Sequence, residues 1–161
     1  MFKILLLLLL PLLSISSYAT ESITNEIKVY RSSTCHCCHK WIEHLEQNKF
    51  NVIDLFSHDM NSVKEAMKLP KQMRSCHTAI IGGYIIEGHV PAEDIRRLLV
   101  DKPDISGLSV PQMPIGTPGM EMGERKDPFI VFQFTQQGKY SVFNQYDLDE
   151  NNHYQSHGNQ H

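Results

Sequence analysis

Apolar residues are spaced along the chain so that short strand-like runs alternate with helix-like segments. The runs at 26–30 and Asn51–Phe56 predict strands. After the first run, apolar residues recur at helical spacing as far as position 48. A second helical pattern covers 61–69 and stops at Pro70, because proline ends a helix.

The middle of the chain continues this alternation. A Gly-Gly pair lies between the strand-like runs Thr78–Ile81 and Tyr84–Glu87, and such a pair is a strong hairpin signal. A helix begins at Pro91, carries acidic residues in its first turn and ends before Pro103. The order β-α-β-α-β-β-α predicts an α/β fold. Two later runs, PFIVFQF and YSVFNQY, predict an additional C-terminal β-hairpin.

The N-terminal residues indicate export. Lys3 precedes a short apolar run, and small residues follow up to Ala19, which is the pattern of a cleaved secretory signal at 1–19. The mature part has about 140 residues, enough for one domain at 20–147. The polar segment 148–161 is predicted to be a disordered tail.

Charge and hydropathy argue against a nucleic-acid-binding or membrane-anchored protein. A formal net charge of −3 gives no indication of nucleic acid or an anionic membrane as a partner. The apolar run is shorter than the roughly 20 residues that span a bilayer, so we expect a periplasmic protein without a membrane anchor. The tail carries three histidines at four-residue spacing, which is compatible with weak metal capture, but a solvated tail is the favoured interpretation. These are His153, His157 and His161.

The stretch RSSTCHCCHK concentrates potential metal ligands. It holds three of the four cysteines, Cys35, Cys37 and Cys38, together with His36 and His39. Four cysteines in an exported protein usually form disulfides. Clustered cysteines cannot tie distant segments together, so purely structural pairing would use at most one long-range bridge. This favours a chemical role for the cluster.

Local structure strengthens that interpretation. The cluster opens the first predicted helix, where backbone N–H groups and the helix dipole favour thiolate over thiol. A C-x-x-C spacing at a strand–helix junction, within this element order, resembles the thioredoxin fold. In that fold the turn before the third strand faces the C-x-x-C site, although here the turn 75–78 lacks the usual proline. The resemblance therefore places Cys76 opposite the cluster and His77 beside it, at the mouth of the site.

Thiolates and imidazoles together suit Cu(I) or Zn(II), and the residues alone do not choose between the two metals. The loop 111–123 adds three methionines, whose ordinary role is packing. The alternative is a copper site or an entry path for copper, because thioethers select Cu(I). These are Met113, Met120 and Met122. His89, at a strand end, is either a turn-stabilising residue or a ligand.

Three ordered motifs resemble the CopG-like family of exported copper-associated proteins, known as domain of unknown function 411. They are VYRSSTCHCCHKWIEHL, SCHTAIIGGYIIEGHVPAEDIRRLL and VPQMPIGTPGMEMGERKDPF, and the resemblance runs over 27–146. It implies a thioredoxin-like fold and copper binding by the CxCC and Cys-His motifs, in copper resistance. Many relatives have glycine where this chain has His36 and His39, so extra ligands or altered access are predicted.

Two function classes follow. The favoured one is an exported copper-binding protein that binds, buffers or transfers Cu(I), with zinc as the alternative metal. Its partners would be copper ions and other copper-handling proteins of the cell envelope. The alternative is a thiol-disulfide oxidoreductase, with Cys35 as the nucleophile and Cys38 as the resolving thiol. A hybrid would change the oxidation state of copper at the cluster.

Overall fold

Residues 25–158 are described by the structure, a computed structural model, and they contain eight strands and three α-helices. The strands are β1 (Glu26–Arg31), β2 (Asn51–Phe56), β3 (Thr78–Ile81), β4 (Tyr84–Glu87), β5 (Gly107–Ser109), β6 (Phe129–Phe134), β7 (Tyr140–Leu148) and β8 (Tyr154–Ser156). The helices are α1 (His36–Gln47), α2 (Met60–Ala66) and α3 (Ala92–Asp101), with a 3-10 turn at Lys71–Met73. The predicted signal sequence at 1–19 and the tail residue His161 lie outside the described residues.

All eight strands form one mixed sheet in the order β2-β1-β3-β4-β5-β6-β7-β8. Strand β1 is parallel to β2 and antiparallel to β3, and β4 is antiparallel to β3 but parallel to β5. The α/β class, the predicted element order and the C-terminal hairpin of β6 and β7 are confirmed. No helix within 25–158 is long and apolar enough to cross a membrane.

Strand direction determines which chain segments meet at one end of the sheet. Tyr30, near the end of β1, pairs with Thr78, at the start of β3. Thr78 in turn pairs with Glu87, at the end of β4, and Glu87 pairs with Ser109, at the end of β5. The segments after β1, before β3, after β4 and after β5 therefore lie at the same end of the sheet. They carry the cysteine cluster, Cys76, His89 and the loop 111–123, which we call the methionine loop.

Helix α1 packs on the sheet through one face. Its buried residues are Cys38, Trp41, Ile42 and Leu45, a spacing of three and four positions that keeps side chains on one side of a helix. They join a core made of β-strand residues and the buried face of α3. The indole Nε1 of Trp41 donates to the Val90 carbonyl oxygen at 2.9 Å, which ties α1 to the chain after β4.

The C-terminal part differs from prediction. Strand β8 pairs with β7, so the prediction of a disordered tail over 148–161 is wrong for the residues that form this strand. Tyr154 explains the order, because its ring packs edge-on against Phe129 and its hydroxyl donates to the Asp127 carbonyl oxygen at 2.9 Å. The sheet thus continues past the predicted domain boundary at 147. Strand β5 was not predicted.

Candidate metal centre

The N-terminal turn of α1 presents three cysteines. Cys35 is the N-cap residue, and its backbone N–H donates to the Ser32 carbonyl oxygen at 3.1 Å. Cys35 and Cys38 form a disulfide, with Cys38 buried on the core face of the helix. Cys37 is not disulfide-bonded, and its Sγ lies 3.5 Å from the Sγ of Cys35.

The fourth cysteine faces this cluster, as the sequence predicts. Cys76 precedes β3 and is not disulfide-bonded. The Sγ atoms of all four cysteines lie within 4.8 Å of one another. We call Cys35, Cys37, Cys38 and Cys76 the sulfur group. Its members come from two segments far apart in the chain, brought together by the antiparallel pairing of β1 and β3.

Cys76 also belongs to a second set of donors, with His77 and His89, which we call the histidine group. The Sγ of Cys76 lies 3.1 Å from Nδ1 of His77 and 3.3 Å from Nε2 of His89. Nδ1 of His89 lies 2.8 Å from the Pro118 carbonyl oxygen. Since a carbonyl oxygen only accepts, this Nδ1 carries a proton, and Nε2 of the neutral ring keeps its lone pair toward Cys76.

His77 is completely buried, so the expectation that it lies at the mouth of the site is wrong. Its ring centroid is 4.3 Å from that of Trp41 and 4.9 Å from that of His89. Its Nε2 has no hydrogen-bond partner within the described part of the chain. Buried polar atoms are nearly always bonded, and an unbonded one at a cluster of donors is consistent with a place for a ligand or an ordered water.

Burial sets the protonation states. It lowers the pKa of His77 well below its usual range, and the neighbouring His89 and Lys64 lower it further. Burial also lowers the pKa of His89. Both imidazoles are therefore neutral at physiological pH, which is the form that binds metal. Burial raises the pKa of the Cys76 thiol to about 12, and the nearby Cys37 adds to the effect.

The methionine loop contacts α1 through Gly119. A Cβ on this residue would lie 2.6 Å from the Trp41 backbone nitrogen and 2.9 Å from the Cys37 carbonyl oxygen. Met120 follows it and is half-buried. Met113 and Met122 have 48% and 62% of their surface exposed.

His36 and His39 lie apart from both ligand groups. Both are exposed on α1, and Nε2 of His39 lies 3.4 Å from a carboxylate oxygen of Glu43. The metal-ligand groups found among residues 25–158 contain neither of them. Their predicted part in binding or access remains a prediction.

Some contributors were missed by sequence reasoning. The Pro118 carbonyl oxygen orients His89, and a backbone group leaves no side-chain pattern to detect. Glu87 and Lys64 are buried directly beside the Cys76 turn. Glu87 lies in the predicted strand, where a charged residue at a core-facing alternate position is a detectable signal.

Comparison with known proteins agrees with these motifs. The family model described as protein of unknown function, DUF411, matches residues 73–120. Two solved structures, titled copper resistance protein copG form 1 and form 2, are each 46% identical in sequence with a TM-score of 0.72. They cover 78% and 76% of this chain, respectively, and 98% of their own chains. No curated protein matches the chain.

Proposed function

The chain belongs to the CopG-like DUF411 family, and from this premise we propose that it binds Cu(I) and buffers or transfers it in copper resistance. The observation that carries the proposal is the pair of donor groups that share Cys76. Thiolate and imidazole are soft and borderline donors, which favour Cu(I) over hard ions. Zinc accepts the same donors, so metal preference belongs among the measurements.

The donor count depends on the state of Cys35 and Cys38. While these two are joined in a disulfide, neither offers a thiolate. Uptake of two electrons and two protons from an external thiol reductant would give two thiols and complete the sulfur group. We therefore expect the reduced protein to be the form with the full set of cysteine ligands.

The proposed compartment and partners are those that the sequence predicts. We propose export to the periplasm and exchange of copper with other copper-handling proteins of the cell envelope. The order β2-β1-β3-β4, with β1 parallel to β2 and antiparallel to β3, supports a thioredoxin-like core. The three loop methionines are proposed as a copper entry path, supported by the contact between their loop and α1 at Gly119.

The decisive test is a Cu(I) titration of the reduced mature protein against a competing chelator, without oxygen. We expect tight binding that is lost when Cys35, Cys37, Cys38 and Cys76 are all changed to serine. A quadruple variant that keeps the wild-type Cu(I) stoichiometry would refute thiolate binding. The same titration with Zn(II) measures the preference between metals.

A second candidate is supported by the closed disulfide at the start of α1. A C-x-x-C disulfide at a helix N-terminus is the arrangement of thiol-disulfide oxidoreductases, with Cys35 as nucleophile and Cys38 as resolving thiol. Insulin reduction separates the two functions. Robust turnover that is lost in Cys35→Ser but kept in Cys76→Ser favours the oxidoreductase, because disulfide exchange does not need the facing cysteine.

A further inference from the structure

A buried ion pair lies directly beside the turn that carries Cys76 and His77. The side chain of Glu87 is fully buried and that of Lys64 is 5% exposed, and the Nζ of Lys64 lies 2.5 Å from Oε1 of Glu87. Moving two charges out of water has a desolvation cost for each ion, and apolar residues of similar size often replace such pairs without loss of stability. General stability is thus a weak explanation for this pair.

The hydrogen bonds of Glu87 suggest a better explanation. Its Oε1 accepts from the backbone N–H of Ser75 at 2.6 Å, and its Oε2 accepts from the hydroxyl of Thr78 at 2.6 Å. Lys64 donates from Nζ to the same hydroxyl oxygen at 2.8 Å. One carboxylate therefore holds the residue before and the residue after the Cys76-His77 dipeptide.

Hydrogen bonds, and not a proline, hold this turn, and the hydroxyl of Ser75 adds one to the Gln112 carbonyl oxygen. The segment 75–78 has no proline, the residue that would restrict its backbone. The Gly88 N–H donates to the His77 carbonyl oxygen at 3.0 Å, which holds the middle of the turn against the end of β4. We call the hydrogen bonds from Ser75 and Thr78 to Glu87, together with its ion pair with Lys64, the clamp. Glu87 immediately precedes Gly88, so the clamp and this backbone bond both involve the segment that leads to His89.

We propose that Glu87, supported by Lys64, is a positioning residue for the metal centre, because it fixes the turn that carries Cys76. This inference rests on the proposed copper function, since the turn presents the cysteine shared by the sulfur group and the histidine group. A carboxylate is needed because both oxygens accept hydrogen bonds from donors. An amide has one oxygen and an NH₂ group that only donates.

Two variants test the clamp. Glu87→Gln keeps the size of the side chain. Its single amide oxygen can still accept from the Ser75 N–H, but its NH₂ group cannot accept the hydrogen bond that the Thr78 hydroxyl donates to Oε2, and Lys64 loses its counter-charge. The double variant Lys64→Met with Glu87→Leu removes both charges and fills the space with apolar atoms. It is expected to stay folded, because removing the cost of burying two charges offsets the loss of an acceptor for the Ser75 and Thr78 donors.

A matched control is Asp94→Asn. Asp94 is also a buried carboxylate, and it accepts hydrogen bonds from Asn144 and Tyr146. It belongs to neither ligand group. The control therefore measures what the loss of a buried carboxylate does to the fold without disturbing the Cys76 turn.

The first readout is the Cu(I) affinity of the folded, reduced protein. Loss of ligand support typically costs about 10- to 100-fold in metal affinity. We expect that loss in Glu87→Gln and in the double variant, and wild-type affinity in Asp94→Asn. Wild-type affinity in the folded double variant would overturn the proposal, because the clamp is gone while the fold remains.

The second readout measures the positions of two thiols without using copper. With the Cys35–Cys38 disulfide closed, phenylarsine oxide can bridge only the remaining thiols, Cys37 and Cys76. We expect bridging to be slower by about tenfold or more in both clamp variants and unchanged in Asp94→Asn. Equal rates in all proteins would also overturn the proposal. If the wild type binds no Cu(I), the copper function fails, and the bridging rates still decide whether Glu87 positions Cys76.

Discussion

Replacing Gly119 by alanine should push the methionine loop away from α1. Gly119 has a φ of +84°, which favours glycine. An added Cβ would lie 2.6 Å from the Trp41 backbone nitrogen, 2.9 Å from the Cys37 carbonyl oxygen and 3.0 Å from the Trp41 Cα. All three are backbone atoms of a packed helix, so they cannot rotate aside as a flexible side chain would. The loop has to move instead.

The magnitude follows from two contributions. A left-handed backbone costs an L-residue about 1–2 kcal/mol. Relieving an overpacked contact costs typically about 1–3 kcal/mol. Gly123→Ala is the matched control, because Gly123 has a φ of +68° and nothing lies within 4 Å of its added Cβ. The control has only the backbone contribution, so Gly119→Ala should be less stable than Gly123→Ala by about 1–3 kcal/mol.

The same displacement should reach the metal centre. Pro118 adjoins Gly119, and its carbonyl oxygen accepts the hydrogen bond that orients His89. Loss of such support lowers metal affinity by about 10- to 100-fold. Urea unfolding of the apoprotein measures the first effect, and Cu(I) chelator competition measures the second. If Gly119→Ala and Gly123→Ala agree in both measurements, the contact between loop and helix does not support the site.

Three further outcomes are expected. His77→Ala should lower the apoprotein's free energy of unfolding by about 1–3 kcal/mol, because it opens a cavity beside Trp41, and should also weaken Cu(I) binding; unchanged urea unfolding would contradict its packing role. Because burial raises the pKa of Cys76 to about 12, this thiol must release a proton to bind Cu(I) at neutral pH, so affinity should increase with pH. The slope of log affinity against pH should be smaller by about one proton in Cys76→Ser, and equal slopes would contradict this. Tyr154→Phe loses the hydrogen bond to the Asp127 carbonyl oxygen and should lower stability in urea by about 1 kcal/mol, whereas an unchanged midpoint would show that the bond contributes nothing.

The order of the first seven elements could be predicted because each carries a local signal. The Gly-Gly hairpin between β3 and β4 is present as predicted, with both glycines at positive φ. Strand β5 has only three residues, Gly107–Ser109, which is too short to show an alternating pattern. Strand β8 lies in a polar segment, and its order depends on Tyr154 packing against residues distant in sequence. Composition does not report such tertiary contacts.

In the candidate site, too, some features could be predicted from the sequence and others could not. The cysteine spacing and the element order resemble the thioredoxin fold, and that resemblance predicted that Cys76 faces the cluster. Helical geometry separates the neighbouring histidines from it. Cys38 lies three residues before Trp41 on the buried face, whereas His39 lies four residues before Glu43 on the exposed face. Among the described residues, His36 and His39 therefore lie outside both ligand groups, and their part in binding or access stays a prediction.

Sharing Cys76 between the two ligand groups has a consequence for the redox state. The sulfur group contains both members of the disulfide, so its number of free thiols changes from two to four on reduction. The histidine group contains no disulfide sulfur, and its two imidazoles are neutral because they are buried. Its donor set is thus the same in both states. The sulfur group therefore gains donors when the disulfide is reduced, whereas the histidine group keeps the same donors. Cys76 belongs to both groups, so a metal ion bound through its Sγ would contact both.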